Sequence, residues 1–302
     1  RMKLVGPPIN EAYLDYIRDG GQGLAPSAMD LSYLNESYAG LSRRRNALLP
    51  ASYDLRQKGV VPPVSNQNPY GICWTFSALG SAESGMMEQF PHISFSNIHL
   101  AWFSRYGNEE EEFTGAGSGG NDFDPFNDGG NDGNAVGTLA AWKGPVSEEL
   151  VPYDTTQVDE SLRYASAYHL QDAYYMPNGI YHAEGFPEPA AGRDVVKQIM
   201  MEKGAISVAY TAGDMATYYN EKTSAWYNDA FAQPDHAVLA VGWDDHYPKE
   251  NFKEGCRPEK DGAWLIRNSW GTDWGDDGYF WLSYEDNTLQ LGSYFAMEAA
   301  DN

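Results

Sequence analysis

The two halves of this 302-residue chain carry different hydrophobic patterns, and this contrast limits the fold more than any other feature. In the first half, apolar residues after Cys73 recur at helical spacing as far as Phe90, beside small residues that permit close packing. In the second half, short apolar runs such as 237–241 and 263–267 alternate with Gly and Asp clusters, which is typical of strands. The chain is therefore predicted to be an α+β protein with a helical lobe, about 50–150, and a strand-rich lobe, about 151–302.

The same periodicities predict individual elements. Helices are expected over 11–18, directly after Cys73, over 135–143 and over 194–203, and strands over 205–210, 237–241, 263–267 and 278–282. The stretch 109–134 is rich in Gly, Asp and Asn, so it is expected to be a long surface loop.

Residues 1–49 differ in sequence pattern from the rest of the chain, because they contain a single short helical pattern with Gly and Pro residues around it. We interpret them as an appended segment. It ends in the basic run Ser42-Arg43-Arg44-Arg45, which is either a processing site or a solvated loop.

The formal net charge of −23 and the pI near 4.4 disfavour nucleic acid and anionic lipid as partners. No apolar run reaches the length of a membrane span, and residues 1–10 lack the apolar core of a signal peptide. We expect a monomer outside the cell or at its surface, from which a targeting peptide has already been removed.

The chain has two cysteines, Cys73 and Cys256, so at most one disulfide is available. Cys73 follows a Gly-bearing loop and opens the predicted buried helix. A helix N-terminus, together with a neighbouring imidazolium, stabilises a thiolate and makes the sulfur nucleophilic. Taken alone, one cysteine at a helix start is more often a small buried apolar residue.

Two distant segments change that balance. His236 opens an apolar strand, and Asn268 is followed by Trp270 and Trp274, which are separated by Gly turns. A tryptophan placed there would shield a hydrogen bond between the asparagine and the histidine from water. Taken alone, such a histidine is more often an ordinary core or surface residue, and such a tryptophan is ordinarily packed in the core.

The blocks 67–78, 235–238 and 268–275 together resemble, in order, the three signature blocks of papain-like cysteine peptidases. The resemblance covers roughly residues 50–302. It implies a papain-like two-lobe fold, with a helical left lobe, an antiparallel β-barrel-like right lobe and an active-site cleft between them.

The resemblance also implies roles for individual residues. Cys73 would be the nucleophile, His236 its ion-pair partner and general acid/base, and Asn268 the group that fixes the imidazole. Gln67, six positions before Cys73, matches the residue that donates to the oxyanion together with the Cys73 backbone amide.

Further candidates would bind substrate. Glycines at the edge formed by 128–131 would let a peptide backbone approach and pair as a β-strand. The candidate substrate-binding residues are Gly129, Gly130, Asp235, Trp270 and Trp274, with Ala209 and Pro234 as weaker pocket candidates.

The function predicted on this basis is hydrolysis of internal peptide bonds through a Cys73 thioester, with no cofactor. Residues 1 to about 45 are expected to pack on the lobes as an inhibitory pro-segment and to obstruct the cleft. Two alternatives stay open: an acyltransferase or transpeptidase with the same nucleophile, and a silent relative that binds peptide or glycan.

The chain also departs from the family pattern. Tyr70 stands where many members have a cysteine three positions before the nucleophile, which favours a bacterial-type branch without the usual disulfides. Cys256 is expected to be an exposed loop thiol, with a disulfide to Cys73 as the less favoured alternative. The acidic cluster 122–128 invites a calcium site, but Phe126 occupies a ligand position, so a solvated loop without metal is expected.

Overall fold

The computed structural model of the chain describes residues 10–19, 24–28, 49–105, 124–176, 189–291 and 293–299. The α-helices are α1 Glu11–Arg18, α2 Cys73–Met86, α3 Asn97–Arg105, α4 Asp132–Ala140, α5 Pro189–Lys203 and α6 Met215–Tyr218. The strands are β1 Ser52–Asp54, β2 Tyr168–Tyr175, β3 Ile206–Tyr210, β4 Tyr219–Asn220, β5 Ala225–Trp226, β6 His236–Asp244, β7 Ala263–Arg267, β8 Tyr279–Ser283, β9 Gln290–Leu291 and β10 Ser293–Ala299.

One eight-stranded sheet forms the strand-rich lobe. Its strands lie in the order β4-β5-β8-β7-β6-β3-β9, and β1 also pairs with β6. The pairings are antiparallel except that β5 runs parallel to β8. Along the described strands the sheet is open, with β4 and β9 at its two ends. The predicted α+β class, with both helices and strands, is confirmed.

Helix α2 lies against both lobes, and nearly all of its side chains are buried. Two of its serines bond to backbone outside the helix: Ser81 donates to the Ala205 carbonyl at 2.6 Å, and Ser84 donates to the Val60 carbonyl at 2.6 Å. Small hydroxyl side chains therefore allow close approach and also satisfy buried polar groups.

Each lobe has its own apolar core. The helical lobe packs residues such as Trp74, Ile98 and Leu139 around α2, whereas the strand-rich lobe packs residues such as Trp264 and Phe280 between the sheet and α5. The helical and strand-rich segments thus bury separate cores on either side of the cleft.

The lobes are not separate in sequence, because β1 joins the sheet of the strand-rich lobe. A side chain at Gly242, beside the bulge in β6, would come within 2.3 Å of the Tyr53 carbonyl oxygen. Glycine at this position is what lets β1 approach β6. Tyr53 then stacks on Trp243 at 4.9 Å.

Part of the predicted surface loop is folded. Helix α4 begins at Asp132 rather than 135, because Asn131 and Asn134 form a capping box that bonds each side chain to the other backbone amide. Phe126 and Gly130 are buried, so the expectation of a loop open to solvent is wrong for this end. The remainder of that prediction, including Asp122 and Phe123, lies outside the described residues.

Cys256 is not an exposed thiol, which corrects the sequence prediction. It is 8% exposed, and its Sγ contacts the Tyr227 carbonyl oxygen at 3.6 Å. The prediction was based on the polar neighbours of Cys256 in sequence. In the structure, the loop folds back and buries Tyr247 and Phe252 in a small core of its own. Cys73 and Cys256 are both free cysteines, so the alternative of a disulfide between them is not realised.

The basic run 42–45 lies outside the described residues. Within the part of the chain that the structure describes, no helix has the length and apolar character needed to span a bilayer.

Candidate active site

Cys73 is the first residue of α2 and is almost completely buried. The backbone N–H of Ala237, the residue after His236, points at its Sγ at 3.5 Å. The start of a helix in one lobe and the start of β6 in the other therefore meet at this sulfur. The unpaired amides of the first helical turn favour negative charge on it.

His236 and Asn268 form a buried hydrogen bond of 2.8 Å between the imidazole Nε2 and the amide Oδ1. The same Oδ1 accepts the Ser269 backbone N–H at 2.8 Å, which identifies this atom as the oxygen. Nε2 must therefore carry a proton, and in the neutral ring Nδ1 is left as the base. Asn268 thus selects the tautomer in which Nδ1 can take a proton from a thiol.

Burial sets the protonation of this pair in the state that the structure describes. It raises the pKa of the Cys73 thiol to about 11, although the Ala237 amide opposes the shift. It lowers the pKa of His236 to about 4, against the opposing hydrogen bond to Asn268. Both shifts favour the neutral forms, so burial here works against the thiolate–imidazolium pair.

Two tryptophans cover the histidine. Trp270 stacks on the imidazole with ring centres 4.7 Å apart, and Trp274 packs edge-on against Trp270 at 5.0 Å. Trp274 itself stacks on Tyr219 at 5.1 Å and packs against the strand-rich core. Trp270 is therefore placed to shield the hydrogen bond between His236 and Asn268, and Trp274 supports Trp270 from behind.

Gln67 lies beside the same asparagine loop. Its Oε1 accepts from the Ser269 hydroxyl at 2.7 Å, and its backbone N–H donates to the Ser269 carbonyl at 2.8 Å. One proton of Nε2 goes to the Tyr70 carbonyl at 3.1 Å, so the second is left to donate elsewhere. Ser269 thus ties the loop of Gln67 to the loop of Asn268.

Gly129 and Gly130 form the left edge of the cleft. Gly129 has φ +69°, in the left-handed region that favours glycine. A Cβ at Gly130 would lie 2.3 Å from the Trp74 ring, so only glycine fits above that buried side chain.

The remaining substrate-binding candidates lie on the right wall. Asp235 precedes His236, and its Oδ1 accepts the Ala212 N–H at 2.7 Å. Ala209 pairs with Ala237 across β3 and β6, and Pro234 is buried next to Asp235. Their contact with a substrate stays a prediction.

Residues 24–26 cross the cleft between these walls. The Leu24 N–H donates to the Asp235 carbonyl at 3.3 Å, and the Ala25 N–H donates to the Gly130 carbonyl at 2.9 Å. Ala25 is only 4% exposed. A segment from far upstream therefore bridges the two walls next to His236.

A model of the papain family of cysteine proteases matches residues 49–298, which covers both walls and all four catalytic candidates. The chain belongs to the papain family. Sequences and structures of other members agree with this assignment.

Human cathepsin L2 is 31% identical over 243 residues, which cover 79% of this chain and 62% of that protein. Rat procathepsin L is 30% identical over 242 residues, with the same coverage of 79% and 62%. The chain thus spans about 62% of the length of these two curated relatives.

Among solved structures, the chain is similar to the cysteine protease and lectin-like domains of Cwp84, a surface layer associated protein of Clostridium difficile. The TM-score is 0.72 at 25% identity, and the match covers 98% of this chain and 61% of that one. A Cwp84 structure obtained after propeptide cleavage has a TM-score of 0.66 at 27% identity, covering 83% of this chain and 58% of that one.

Sequence reasoning missed three residues of this papain-family site. Ser269 was overlooked because a serine after the asparagine carries no chemical signal of its own. Asn131 bonds to residues 25 and 26, and its position as a helix cap was the available clue. Arg267 was treated only as the end of a strand.

Arg267 is 4% exposed and joins the segments that carry the site. Its Nη1 donates to the carbonyls of Pro62 and Pro63 at 3.0 and 3.1 Å, and its Nη2 donates to the Phe76 carbonyl at 3.3 Å. The Pro62 and Pro63 carbonyls lie ahead of Gln67 in the chain, and the Phe76 carbonyl lies in the first turn of α2. Arg267 itself directly precedes Asn268.

Arg267 also lines a cavity of about 330 Å³, together with Glu83 and Glu148. Burial raises the pKa of each of these two carboxyl groups to about 7. Two carboxyl groups whose neutral forms are favoured by burial therefore share this cavity with the guanidinium.

The carboxylates of Asp124 and Asp128, the two aspartates of the acidic cluster that the structure describes, already have partners in the loop. Asp124 accepts from the Phe126 amide at 2.9 Å, and Asp128 accepts from the Asp124 amide at 2.8 Å. Among the described residues no group of three or more His, Cys, Asp or Glu side chains is arranged to hold a metal ion.

Proposed function

We propose that this chain is a cysteine endopeptidase, with Cys73 as nucleophile, His236 as general acid/base and Asn268 as the group that orients the imidazole. The observation that carries the proposal is the bond from Nε2 of His236 to Oδ1 of Asn268, with the Ala237 amide on the Cys73 sulfur. Family membership supports the chemistry, since these residues occupy the signature blocks of the family.

The reaction begins when Nδ1 of His236 takes the proton of the Cys73 thiol. The thiolate adds to the carbonyl carbon of a peptide bond, and the carbonyl oxygen becomes an oxyanion. The imidazolium returns its proton to the leaving amine, so the C–N bond breaks and a thioester is left on Cys73. Water, deprotonated by His236, then hydrolyses the thioester and restores the thiol.

The oxyanion would be stabilised by the second proton of the Gln67 amide and by the Cys73 backbone N–H. Gln67 is held for this task by Ser269 and Tyr70 rather than by substrate. A donor that is already fixed loses little freedom during the reaction, and one such donor contributes about 3 kcal/mol to lowering the barrier.

The chain is further proposed to be a precursor, in which the segment ahead of residue 49 inhibits the cleft. Residues 24 and 25 occupy main-chain hydrogen-bonding groups on both walls, and Tyr16 reaches the Asp128 carbonyl at 3.4 Å. One of the similar Cwp84 structures was obtained after propeptide cleavage, so a protease that resembles this chain is made with a propeptide that is removed.

The location proposed for the protein is outside the cell or at its surface. The surface-layer association of Cwp84 and the net charge of −23 support this.

The test uses a chain that folds with its segment and is then cut. Residues 43–48 are replaced by the recognition sequence of a site-specific protease, and the folded protein is cleaved and freed of the segment. We expect hydrolysis of internal bonds in unstructured peptides to rise at least about tenfold after cleavage, because the uncut chain must first release main-chain bonds on both walls.

The same cleavage of a Cys73→Ala chain is the matched control, and it should yield no hydrolysis. Equal activity before and after cleavage would rule out inhibition by the segment. Activity that survives in Cys73→Ala, or products formed only by transfer to added amines, would rule out the peptidase proposal.

A further inference from the structure

The polar contacts of residues 24–26 in the cleft fall on main-chain atoms of that segment. Two are donated by the segment, from Leu24 to Asp235 and from Ala25 to Gly130. Two more are received from a side chain: Nδ2 of Asn131 donates to the Ala25 carbonyl at 3.2 Å and to the Pro26 carbonyl at 3.0 Å. The side chain of Asn131 therefore binds main-chain carbonyls of this segment in the cleft.

The helix cap fixes Asn131 in this orientation. Its Oδ1 accepts the Asn134 N–H at 3.1 Å, and its own N–H donates to Oδ1 of Asn134 at 3.0 Å. With the amide oxygen held against α4, the amide nitrogen faces the cleft. The donor is thus oriented by the fold and not by the peptide that it binds.

Asn131 also extends the edge that Gly130 begins. The Gly130 carbonyl accepts from Ala25, and the amide of Asn131 then engages the carbonyls of Ala25 and Pro26. This edge therefore offers an acceptor, the Gly130 carbonyl, and then a donor, the Asn131 side-chain amide, to the main chain of a peptide in the cleft.

We propose that Asn131 is a substrate-binding residue of this enzyme, which holds the main-chain carbonyls of any extended peptide in the cleft, segment and substrate alike. This inference rests on the proposed peptidase function. The preferred substrates are unstructured polypeptide stretches, and proline is accepted at the position of Pro26, because only its carbonyl is used there.

The direct test measures binding and does not depend on activity. A synthetic peptide of residues 20–30 is titrated by calorimetry into the cleaved Cys73→Ala chain and into the same chain carrying Asn131→Ser. Serine can still cap α4 but loses the amide donor. We expect the dissociation constant to rise roughly tenfold in Asn131→Ser, since it loses two hydrogen bonds to carbonyl oxygens.

A second peptide, with the Ala25–Pro26 amide replaced by a fluoroalkene, checks the contact at the atomic level. Compared with the parent peptide, it should bind more weakly to the chain with Asn131 and about equally well to Asn131→Ser. Equal losses in both forms would overturn the assignment of the contact.

Kinetics on the cleaved active enzyme extend the test to substrates. In Asn131→Ser, KM is expected to rise roughly tenfold with kcat changed less than about twofold. The matched control is Asn134→Asp, which keeps the acceptor for the Asn131 amide and should leave KM within about twofold.

An unchanged KM in Asn131→Ser, or an equal rise in Asn134→Asp, would overturn the inference. If the cleaved enzyme hydrolyses no peptide, the proposed function fails, while the binding titration still decides the role of Asn131.

Discussion

The two walls of the cleft are built from different elements and contribute different groups. On the left wall, Cys73 starts a helix and Asn131 caps one, so the groups offered there are those of helix N-termini. On the right wall, His236 opens β6 and Asn268 follows β7, so strand register brings their side chains together. In the proposed mechanism, the left wall supplies the nucleophile and hydrogen-bond donors, and the right wall supplies the groups that transfer the proton.

Neither wall holds a complete site, and the connections between them show how the two are aligned. Arg267 and Ser269 flank Asn268 in sequence. Arg267 donates to the Pro62 carbonyl ahead of Gln67 and to the Phe76 carbonyl of α2, and Ser269 donates to Gln67. The two neighbours of one asparagine therefore contribute to the alignment of the walls.

The largest expected effect tests whether the walls act as one unit. Cys73→Ser and His236→Gln should each reduce kcat of the cleaved enzyme by about 10⁴-fold or more, because neither group works without the other. The double variant should be no slower than either single variant. Peptide hydrolysis under single-turnover conditions measures all three, and additive losses would show that the walls contribute independently.

The next effect concerns the right wall alone. Asn268→Ala should reduce kcat/KM by about 10- to 100-fold, because the buried Nε2 proton loses its acceptor and the ring its fixed tautomer. In Asn268→Asp, a carboxylate acceptor should raise the pKa of His236 and move the acid limb of the rate profile to higher pH. The pH dependence of peptide hydrolysis measures both changes, and an unmoved limb in Asn268→Asp would argue against this hydrogen bond.

The burial of Glu83, which shares a cavity with Arg267, should appear in the pH dependence of the free energy of unfolding. Folding raises the pKa of Glu83 from its ordinary value of 4.5 to about 7 because the group is buried. Its contribution to stability is complete below about pH 4.5 and is lost as the pH rises through 7. The free energy of unfolding of Glu83→Gln, relative to that of the natural chain, should therefore rise over this range by up to about 3 kcal/mol.

Denaturant unfolding in a Cys73→Ala background at pH 4.5 and pH 8 measures this difference. Glu148→Gln is the comparison, and its effect should be smaller because Glu148 is partly exposed and screened by solvent. A Glu83→Gln effect that does not change with pH would contradict the buried titration.

The smallest effect lies outside both walls. In the Cys73→Ala chain, Cys256 should react with iodoacetamide roughly tenfold or more slowly than a small free thiol, because it is buried. Labelling followed by mass spectrometry measures the rate, and denatured protein is the control. Rapid labelling of the folded chain would show that the loop opens.

Sequence patterns predicted four of the six described helices and four of the ten described strands, because each of these was visible over a few neighbouring residues. The strand 263–267 and the helix 11–18 have the predicted limits. The start of α4 was misplaced, since its cap is set by two asparagines that look like loop residues. Cys256 was wrongly expected to be exposed, because its loop folds against Tyr227, a contact that the local sequence does not reveal.

The amino-acid sequence by itself determined the family, the α+β class and the candidate residues, because short motifs preserve the chemical types that the reaction needs. Tertiary structure alone decided which imidazole nitrogen bonds to Asn268 and how Arg267 and Ser269 join the walls. It also decided that Asn131 faces the peptide in the cleft. These are relations of distance and orientation between residues far apart in the chain, and local sequence patterns do not contain them.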